Sequence, residues 1–122
     1  MRSVTERDTC ELLCLDMPKA EAARDRQPAV ADLEACAAGA KALGDPTRLA
    51  VAVALGDCGS ACVCDMAWIV GRDEKLVSHH ARALRSAGLA AATRQGKMVI
   101  YELTDRGRVL LAAVSPRAGA TA

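Results

Sequence analysis

Six cysteines are the residues of this chain best suited to chemistry, and four of them form two close pairs. Cys10 and Cys14 are four residues apart, so a helical turn would place both thiols on one face. Cys62 and Cys64 are two residues apart, and this spacing separates side chains by roughly 160° on a regular helix. The second pair can therefore share one ion only in the first turn of a helix, where side chains fold back past the helix end.

The two pairs would provide soft ligands. Four thiolates suit Cd(II), Pb(II) or Zn(II) and disfavour Mg(II) and Ca(II), and the positive end of a helix favours the thiolate form that a metal needs. Two alternatives stay open. Isolated thiols are often small buried hydrophobic groups, and paired thiols that oxidise instead of binding metal would make a redox sensor.

The other polar residues do not form the pattern of an enzyme. The chain has no Ser/His/Asp order, no paired carboxylates in an apolar context and no phosphate-binding loop. Its two histidines, His79 and His80, are adjacent on one predicted helix. We therefore expect a protein that is not an enzyme.

A second group of residues is suited to binding DNA. Residues 72–108 contain eight basic and four acidic side chains (+4), whereas residues 1–34 contain five basic and eight acidic ones (−3). Nucleic-acid binding depends on local potential, so the formal net charge of +1 does not argue strongly against it. Cations and hydrogen-bonding groups suit phosphates and base edges. The candidate DNA contacts are Lys75, Ser78, His79, Arg82, Arg85, Arg94 and Lys97.

The elements that would position these residues are mainly helices. With 122 residues, 2% aromatic residues and no Phe, the chain predicts one domain with an Ala, Val and Leu core. A short helix is expected within residues 1–27. An amphipathic helix should then follow and end at Gly44. Asp45 and Pro46 are predicted to open the next helix, as N-cap and first helical residue, and that helix is expected to run to Gly56.

The central part of the chain predicts two further helices. Residues 57–60 are expected to be a loop whose Ser60 caps a helix over residues 61–70. Asp73 is predicted to cap the next helix, over residues 74–87. The apolar stripe of that helix is expected to consist of Leu76, Val77, Ala81 and Leu84.

A hairpin and a last helix complete the pattern. Residues 89–94 and 98–103 flank a Gly-containing loop and predict two antiparallel strands. Thr104 is expected to cap the last helix. Two short helices joined by a tight turn and followed by a basic hairpin predict a helix-turn-helix with a wing. The predicted fold class is mainly α (α+β): a winged helix-turn-helix with an N-terminal extension, assembled as a homodimer.

From residue 42 to residue 105 the chain resembles the ArsR/SmtB family of metal-responsive winged-helix repressors. Four pieces carry the resemblance: Ala-Leu-Gly-Asp-Pro-Thr-Arg-Leu (42–49), Cys-Val-Cys-Asp-Met-Ala (62–67), Val-Ser-His-His-Ala-Arg-Ala-Leu (77–84) and the run from Gly88 to Leu103. The resemblance implies a homodimer that binds double-stranded operator DNA as apoprotein and releases it when metal binds. It also implies that His80 packs inward and that His79 faces outward.

Within that family, the cysteine pattern is similar to the cadmium- and lead-sensing CadC branch. The resemblance implies Cys62 and Cys64 as ligands together with Cys10 and Cys14, the extension of one subunit completing the site of the other. Cd(II) or Pb(II) would be the effector, with Zn(II) as a further candidate. The harder site of Asp, His and Glu that many relatives carry on the last helix is expected to be absent, because residues 104–114 contain no His.

The two remaining cysteines fit this pattern less well. Cys58 precedes Cys62 by four residues and is a candidate additional or substitute ligand. With three thiols a pyramidal As(III) or Pb(II) site would form, so an As(III)-responsive repressor is an alternative, as is a thiol-redox-responsive one. Cys36 lies in an Ala-rich helix, and we expect it to be a packed core thiol.

The domain organisation follows from these assignments. Residues 1–27 are expected to be a metal-binding extension, residues 28–114 the DNA-binding and dimerisation domain, and residues 115–122 a flexible tail. The N-terminus has no apolar signal region, and no stretch approaches ~18 uncharged apolar residues. We therefore expect a cytoplasmic protein with no membrane partner.

Overall fold

The computed structural model describes residues 16–116, which belong to two compact units, one ending at Val30 and one beginning at Ala31. The first unit contains helix α1 (Met17–Asp25), which has no buried residue. The Asp16 side chain caps α1 by accepting a 2.9 Å hydrogen bond from the backbone N–H of Lys19. A helix within residues 1–27 is therefore present.

The other elements follow in the order predicted, with one added strand. They are α2 (Val30–Ala42), α3 (Pro46–Cys58), β1 (Ser60–Ala61), α4 (Val63–Val70), α5 (Glu74–Ser86), β2 (Ala90–Gln95), β3 (Met98–Leu103) and α6 (Asp105–Val114). The three strands form an antiparallel sheet in the order β1-β3-β2. None of the helices in the described part of the chain is long and apolar enough to cross a membrane.

The core is aliphatic, as a chain without Phe requires. It lies between α3, α4, α5 and the sheet. Close packing of branched and unbranched side chains excludes water from this region and supplies most of the driving force for folding. The largest fully buried side chains are Leu55, Met66, Leu84, Leu89, Val51 and Val77.

Three of the four predicted helix caps, Asp45, Asp73 and Thr104, are confirmed. Asp45 accepts a hydrogen bond from the backbone N–H of Arg48 at 2.9 Å, and Asp73 accepts from Lys75 and Leu76 at 3.0 and 3.3 Å. These carboxylates satisfy backbone donors that the first turn of a helix leaves free. Helices α3 and α5 therefore begin where the sequence indicates.

Two predicted boundaries are wrong. Helix α3 continues to Cys58, so Cys58 is helical and not in a loop. Ser60 does not cap a helix, because Ser60–Ala61 is a short strand paired with Glu102 and Tyr101 of β3. Pairing with a strand forty residues away in the chain overrides the local capping preference of serine, and α4 starts two residues later than expected.

Two residues expected in the core are exposed. Cys36 is exposed because α2 buries only Gly39 and Ala42. Leu76 is 37% exposed, since the buried stripe of α5 begins one residue later. That stripe consists of Val77, His80, Ala81 and Leu84.

The predicted wing is confirmed as the hairpin of β2 and β3. Its register pairs Gln95 with Met98, so the turn contains only Gly96 and Lys97. Gly96 has a φ of 63°, a left-handed conformation that glycine adopts without the steric cost of a side chain. Residues 117–122 of the expected flexible tail lie outside the described residues, and Ser115 and Pro116 follow α6.

Candidate metal centre and DNA-binding surface

The structure brings the sulfurs of Cys62 and Cys64 to 3.0 Å from one another. Cys62 is the N-cap of α4, with φ −86° and ψ 171°. Because Cys62 has an extended backbone, the helical projection that would separate the two side chains does not apply to it. Cys62 is 7% exposed, whereas Cys64 is exposed. One anchored sulfur and one accessible sulfur thus meet at the start of α4.

A third group, the carboxylate of Asp65, completes this cluster. One ligand atom from each of Cys62, Cys64 and Asp65 lies within 4.8 Å of the other two. Asp65 was not among the predicted site residues, although it directly follows Cys64 in the Cys-Val-Cys-Asp motif. Its position three residues after the N-cap was the signal, since residues three apart on a helix are neighbours.

The environment of Cys62 keeps its sulfur protonated in the absence of metal. Contrary to the expectation that the helix end favours the thiolate, the hydrogen bond with Cys64 and then burial raise the pKa of the Cys62 thiol. A metal ion that binds here must therefore displace a proton. Two sulfurs and one oxygen fit a soft or borderline cation. A tetrahedral Zn(II) site would hold two sulfurs about 3.8 Å apart, so the exposed Cys64 side chain would need to shift only slightly.

Within residues 16–116, the two remaining cysteines are not in this cluster. Cys58 and Cys36 are exposed, and neither belongs to the group of ligand atoms around Cys62. Cys10 and Cys14 lie outside the described residues.

The predicted helix-turn-helix consists of α4 and α5. Gly71 ends α4 with φ 70° and ψ 36°, and its backbone N–H donates to the Ala67 carbonyl at 2.9 Å. Only glycine adopts this left-handed conformation readily, so Gly71 allows the chain to turn sharply into α5.

Helix α5 presents a basic outer face. Lys75, His79, Arg82 and Arg85 are exposed and Ser78 is half-buried. The Arg82 guanidinium donates a 2.9 Å hydrogen bond to the Ser78 hydroxyl one turn earlier. This bond holds the Arg82 side chain along the helix surface, and its remaining N–H donors stay available for a partner.

The wing adds two further cations. Arg94 is exposed on β2, where it pairs in register with Val99, and Lys97 is exposed at the hairpin turn. All seven predicted DNA contacts thus lie on α5 or the wing, and six of them are exposed.

His80 is buried behind this face, as predicted. It is 6% exposed, and its Nδ1 accepts a 3.2 Å hydrogen bond from Nε of Arg48. Burial and then the charge of Arg48 lower the pKa of His80. Arg48 was not among the predicted site residues, although it stands in the Asp-Pro-Thr-Arg motif that opens α3.

The sequence of this chain is similar to those of known bacterial regulatory proteins. Residues 45–92 match the family model described as bacterial regulatory protein, arsR family. A cadmium resistance transcriptional regulatory protein CadC homolog of Staphylococcus aureus is 43% identical over 65 residues, which cover 53% of this chain and 54% of that protein. This chain thus matches about half the length of that relative. The cadmium resistance regulatory protein CadC of Listeria innocua is 31% identical over 94 residues, covering 77% of this chain and 78% of that protein.

A solved structure confirms the fold. The homodimeric winged helix-turn-helix DNA-binding domain from Mycobacterium bovis is 26% identical, with a TM-score of 0.65, and the match covers 90% of this chain and 93% of that one. The order of helices, hairpin and last helix is therefore that of a winged helix-turn-helix. The proteins similar to this chain are named as transcription regulators and not as enzymes.

Proposed function

Since this chain belongs to the arsR family of bacterial regulatory proteins, we propose that it is a metal-responsive transcriptional repressor. It binds double-stranded operator DNA as an apo-homodimer in the cytoplasm and dissociates when a soft metal ion binds. The observation that carries this proposal is the pair of sulfurs 3.0 Å apart at the start of α4, the helix that leads into the basic α5.

The DNA would be read by α5 and held by the wing. Arg82 and Arg85 lie on the exposed side of α5, where guanidinium groups suit base edges and phosphates in the major groove. Lys97 at the tip of the hairpin suits a neighbouring phosphate. One such module contacts little DNA, and a dimer would bind two half-sites about one helical turn apart.

The dimer would form through α2 and α6. Leu33 of α2 and Val109 of α6 are 44% and 73% exposed. Cys36 and Leu110 line an apolar groove together with Val109. Exposed apolar surface of this kind marks an interface. The similar domain from Mycobacterium bovis is homodimeric, which supports the same assembly here.

The proposed ligands are Cys62 and Cys64 of the domain over residues 28–114 with Cys10 and Cys14 of the extension over residues 1–27. Residues 115–122 form the tail. The effector is Cd(II) or Pb(II), and Zn(II) is a further candidate. The soft donor set and the cadmium-resistance names of two relatives support this choice.

The expected coupling has a geometric reason. Binding of one ion by thiols from both segments tethers the acidic extension to the start of α4. Helix α4 joins α5 through the turn at Gly71, so a shift at its start changes the spacing of the two recognition helices in the dimer. Couplings between sites are commonly ~1–3 kcal/mol, which corresponds to a fall in operator affinity of roughly five- to 150-fold.

The experiment compares operator binding by the reduced full chain with and without Cd(II), Pb(II), Zn(II) and As(III). We expect wild type to release DNA on binding Cd(II) or Pb(II). Cys62→Ser should bind DNA as apoprotein like wild type, because this thiol is not on the DNA-facing surface, but should lose the response to metal. Cys36→Ser removes a thiol outside the cluster and should keep the metal response; because Cys36 lines the proposed dimer groove, its response is measured relative to its own apoprotein affinity.

Two outcomes would contradict the proposal. One is a wild type that keeps its operator affinity with all four ions, and the other is release of DNA by Cys62→Ser on adding Cd(II). Cys58→Ser tests the proposed additional ligand: an unchanged response removes Cys58 from the site. A response to As(III) alone would favour the alternative of an As(III)-responsive repressor.

The short distance between the sulfurs also favours a second candidate, a thiol-redox-responsive repressor. Here Cys62 and Cys64 would form a disulfide, losing two protons and passing two electrons to an external oxidant such as a peroxide. Absorbance separates the candidates, because metal–thiolate bonds give ultraviolet charge-transfer bands, whereas oxidation consumes free thiols without them. DNA release by a peroxide that Cys62→Ser abolishes would support the redox candidate.

A further inference from the structure

Helix α4 presents an aromatic side chain to solvent near its C-terminal end. Trp68 is 86% exposed, a larger fraction than that of any other large apolar residue within residues 16–116. A covered tryptophan side chain buries up to about 250 Å², so its exposure forgoes a large hydrophobic gain. Tryptophan is also enriched among the residues that contribute most to binding interfaces. The exposed indole therefore indicates a contact with a partner.

The position of Trp68 indicates which partner this is. Trp68 lines a surface cleft with Arg72, in the turn between α4 and α5, and with Lys75, in the first turn of α5. We call it the α4–α5 cleft. Lys75 also belongs to the basic outer face of α5, which continues one and two turns later through Ser78 and Arg82. The α4–α5 cleft is therefore continuous with the proposed DNA-binding surface.

The two cations of the α4–α5 cleft are available to an anionic partner. Neither Arg72 nor Lys75 forms a salt bridge with an acid of residues 16–116. Asp73 lines the cleft as well, but its carboxylate accepts hydrogen bonds from two backbone N–H groups at the start of α5. Glu74 is the other acid that lines the cleft, and it is exposed. A phosphate bound in the cleft would be repelled by Glu74, so the charge of this residue provides a test.

We propose that the α4–α5 cleft holds the DNA backbone beside the major groove that α5 enters. The Arg72 guanidinium and the Lys75 ammonium bind phosphate oxygens. The face of the Trp68 indole packs on a neighbouring deoxyribose, and its Nε1–H is a further donor to phosphate. In a helix-turn-helix the first helix crosses the DNA backbone, and α4 is that helix. This inference rests on the proposed function and adds Trp68 and Arg72 to its DNA contacts.

The first experiment measures the accessibility of the indole. Trp68 is the single tryptophan of the chain, so its fluorescence reports on this cleft alone. Quenching by acrylamide, a neutral quencher, is recorded for the reduced, metal-free full chain. The measurement is made without DNA, with a duplex that wild type selects from a random-sequence pool, and with a random duplex. We expect both duplexes to protect Trp68 from the quencher.

The second experiment measures DNA affinity at several salt concentrations for Trp68→Ala, Arg72→Ala and Glu74→Gln. Fluorescence anisotropy of the same two duplexes, carrying a label, gives the affinity and the salt slope. Ile69→Ala is the matched control, because Ile69 is a 46% exposed apolar residue of α4 that lines a different groove. Circular dichroism verifies that each variant keeps its helices.

The expected changes differ in sign and in salt dependence. Trp68→Ala should weaken binding to both duplexes alike by about tenfold, because backbone contacts carry no sequence information. Its salt slope should stay unchanged, since an indole displaces no counterion. Arg72→Ala should reduce the salt slope by about one. Glu74→Gln should strengthen binding because it removes a negative charge beside the phosphates, and Ile69→Ala should bind as wild type.

Three results would overturn this inference. They are equal quenching of Trp68 with and without DNA, wild-type affinity in both Trp68→Ala and Arg72→Ala, and protection of Trp68 that rises with protein concentration in the absence of DNA. The last result would assign the cleft to a second copy of the chain. Each result leaves the proposed function standing if Arg82→Ala still weakens binding to the selected duplex. Failure of wild type to select any duplex would instead overturn the proposed function together with this inference.

Discussion

His80 connects the DNA-facing helix to the start of α3. Its Nδ1 accepts a hydrogen bond from Arg48, so the ring is neutral and carries its proton on Nε2. Burial is the main cause that lowers the pKa of His80 below its ordinary value of 6.5, followed by the charge of Arg48. Asp45 acts in the opposite direction, and the charges of His79 and Arg72 lower the pKa further.

Stability should therefore fall in mild acid. Because the pKa of His80 is lower in the folded than in the unfolded state, the unfolded state binds the proton first as pH decreases. The contribution of His80 to the free energy of unfolding should be fully present above pH 6.5 and decrease as pH falls from there toward the folded pKa. Urea unfolding of wild type and His80→Asn between about pH 5 and 8 measures this difference. Asn Oδ1 can replace Nδ1 as acceptor without titrating.

His79→Gln is the control for the pH experiment, since His79 is exposed on the same helix. It should keep the loss of stability in mild acid, because burial and Arg48 are the main causes that lower the pKa of His80 and His79 is a minor one. If His80→Asn loses stability in acid as steeply as wild type does, the buried ring is not the group that titrates.

Arg82 and Lys97 should have different roles in DNA binding. Arg82→Ala should cost about 1–3 kcal/mol at the operator and change base preference, because a guanidinium in the major groove reads base edges. Lys97→Ala should weaken binding to all sequences and reduce the salt slope by about one. Fluorescence anisotropy with operator and random duplexes at several salt concentrations measures both effects.

Lys41→Ala removes an exposed cation of α2, outside the predicted DNA surface, and should leave affinity unchanged. Wild-type binding by both Arg82→Ala and Lys97→Ala would refute the assignment of α5 as the recognition helix.

At the scale of elements, α4 departs from the usual rules at its N-terminus. Its N-cap is Cys62, which makes no side-chain capping hydrogen bond, although serine, threonine, aspartate and asparagine are the favoured caps. The first turn of α4 is therefore less stable with Cys62 as its N-cap than it would be with one of the favoured residues. Serine at this position should cap α4 better than cysteine. Loss of the metal response in Cys62→Ser would therefore reflect loss of the sulfur and not of the helix.

Helix α6 is fixed by its close approach to Leu89. The Thr104 backbone N–H donates to the Leu89 carbonyl at 3.0 Å, and the Thr104 hydroxyl accepts from the N–H of Gly107 at 3.0 Å. A Cβ atom on Gly107 would lie 2.0 Å from the Leu89 oxygen. Only glycine permits α6 to cross the backbone at this distance.

Gly107→Ala should therefore destabilise the protein. The clash is with backbone, which cannot rotate away, so we expect a loss of about 1–3 kcal/mol or more in the free energy of unfolding. Gly39→Ala is the matched control in α2, where the added Cβ would make ordinary contacts of 3.5 Å. It should be neutral or stabilise by up to about 1 kcal/mol. Thermal or urea unfolding of both variants measures these changes. A Gly107→Ala protein as stable as wild type would contradict the proposed backbone clash with Leu89.

At the scale of the whole molecule, the exposed apolar residues of α2 and α6 require a partner surface. The charge separation between an acidic N-terminal third and a basic centre adds a second global property. The exposed apolar residues fit an interface between two chains, and the basic centre fits a DNA-binding surface. In a symmetric dimer the same patch of each chain contacts its counterpart.

Val109→Glu should separate the dimer. Val109 is 73% exposed on α6, so a charge there leaves the folded chain intact but is costly in an apolar interface. Sedimentation velocity at micromolar concentration in reducing buffer should show a wild-type dimer and a monomeric variant with unchanged circular dichroism and weaker operator binding. Trp68→Gln changes an exposed apolar residue of α4 and should stay dimeric. A monomeric wild type would refute the proposed assembly.

Most elements could be predicted because local interactions determine them. Asp45, Asp73 and Thr104 cap their helices through bonds that span two or three residues. The Gly-containing loop between residues 89–94 and 98–103 predicts the hairpin, and the Cys-Val-Cys spacing predicts a thiol pair in the first turn of a helix. Helix caps, turns and periodicity depend on neighbours within a turn or a strand pair, and such information is contained in a short stretch of sequence.

The remaining features depend on contacts between distant segments. Strand β1 exists because Ser60–Ala61 pairs with β3, and Arg48 reaches His80 across 32 residues of chain. The meeting of Cys62, Cys64 and Asp65 depends on that strand as well, since β1 keeps the backbone extended up to the N-cap. Cys36 is exposed because α2 packs against its own chain through so few residues. A local sequence pattern does not show which distant segments pair with one another. The free energy of tertiary packing determines which of the possible pairings forms.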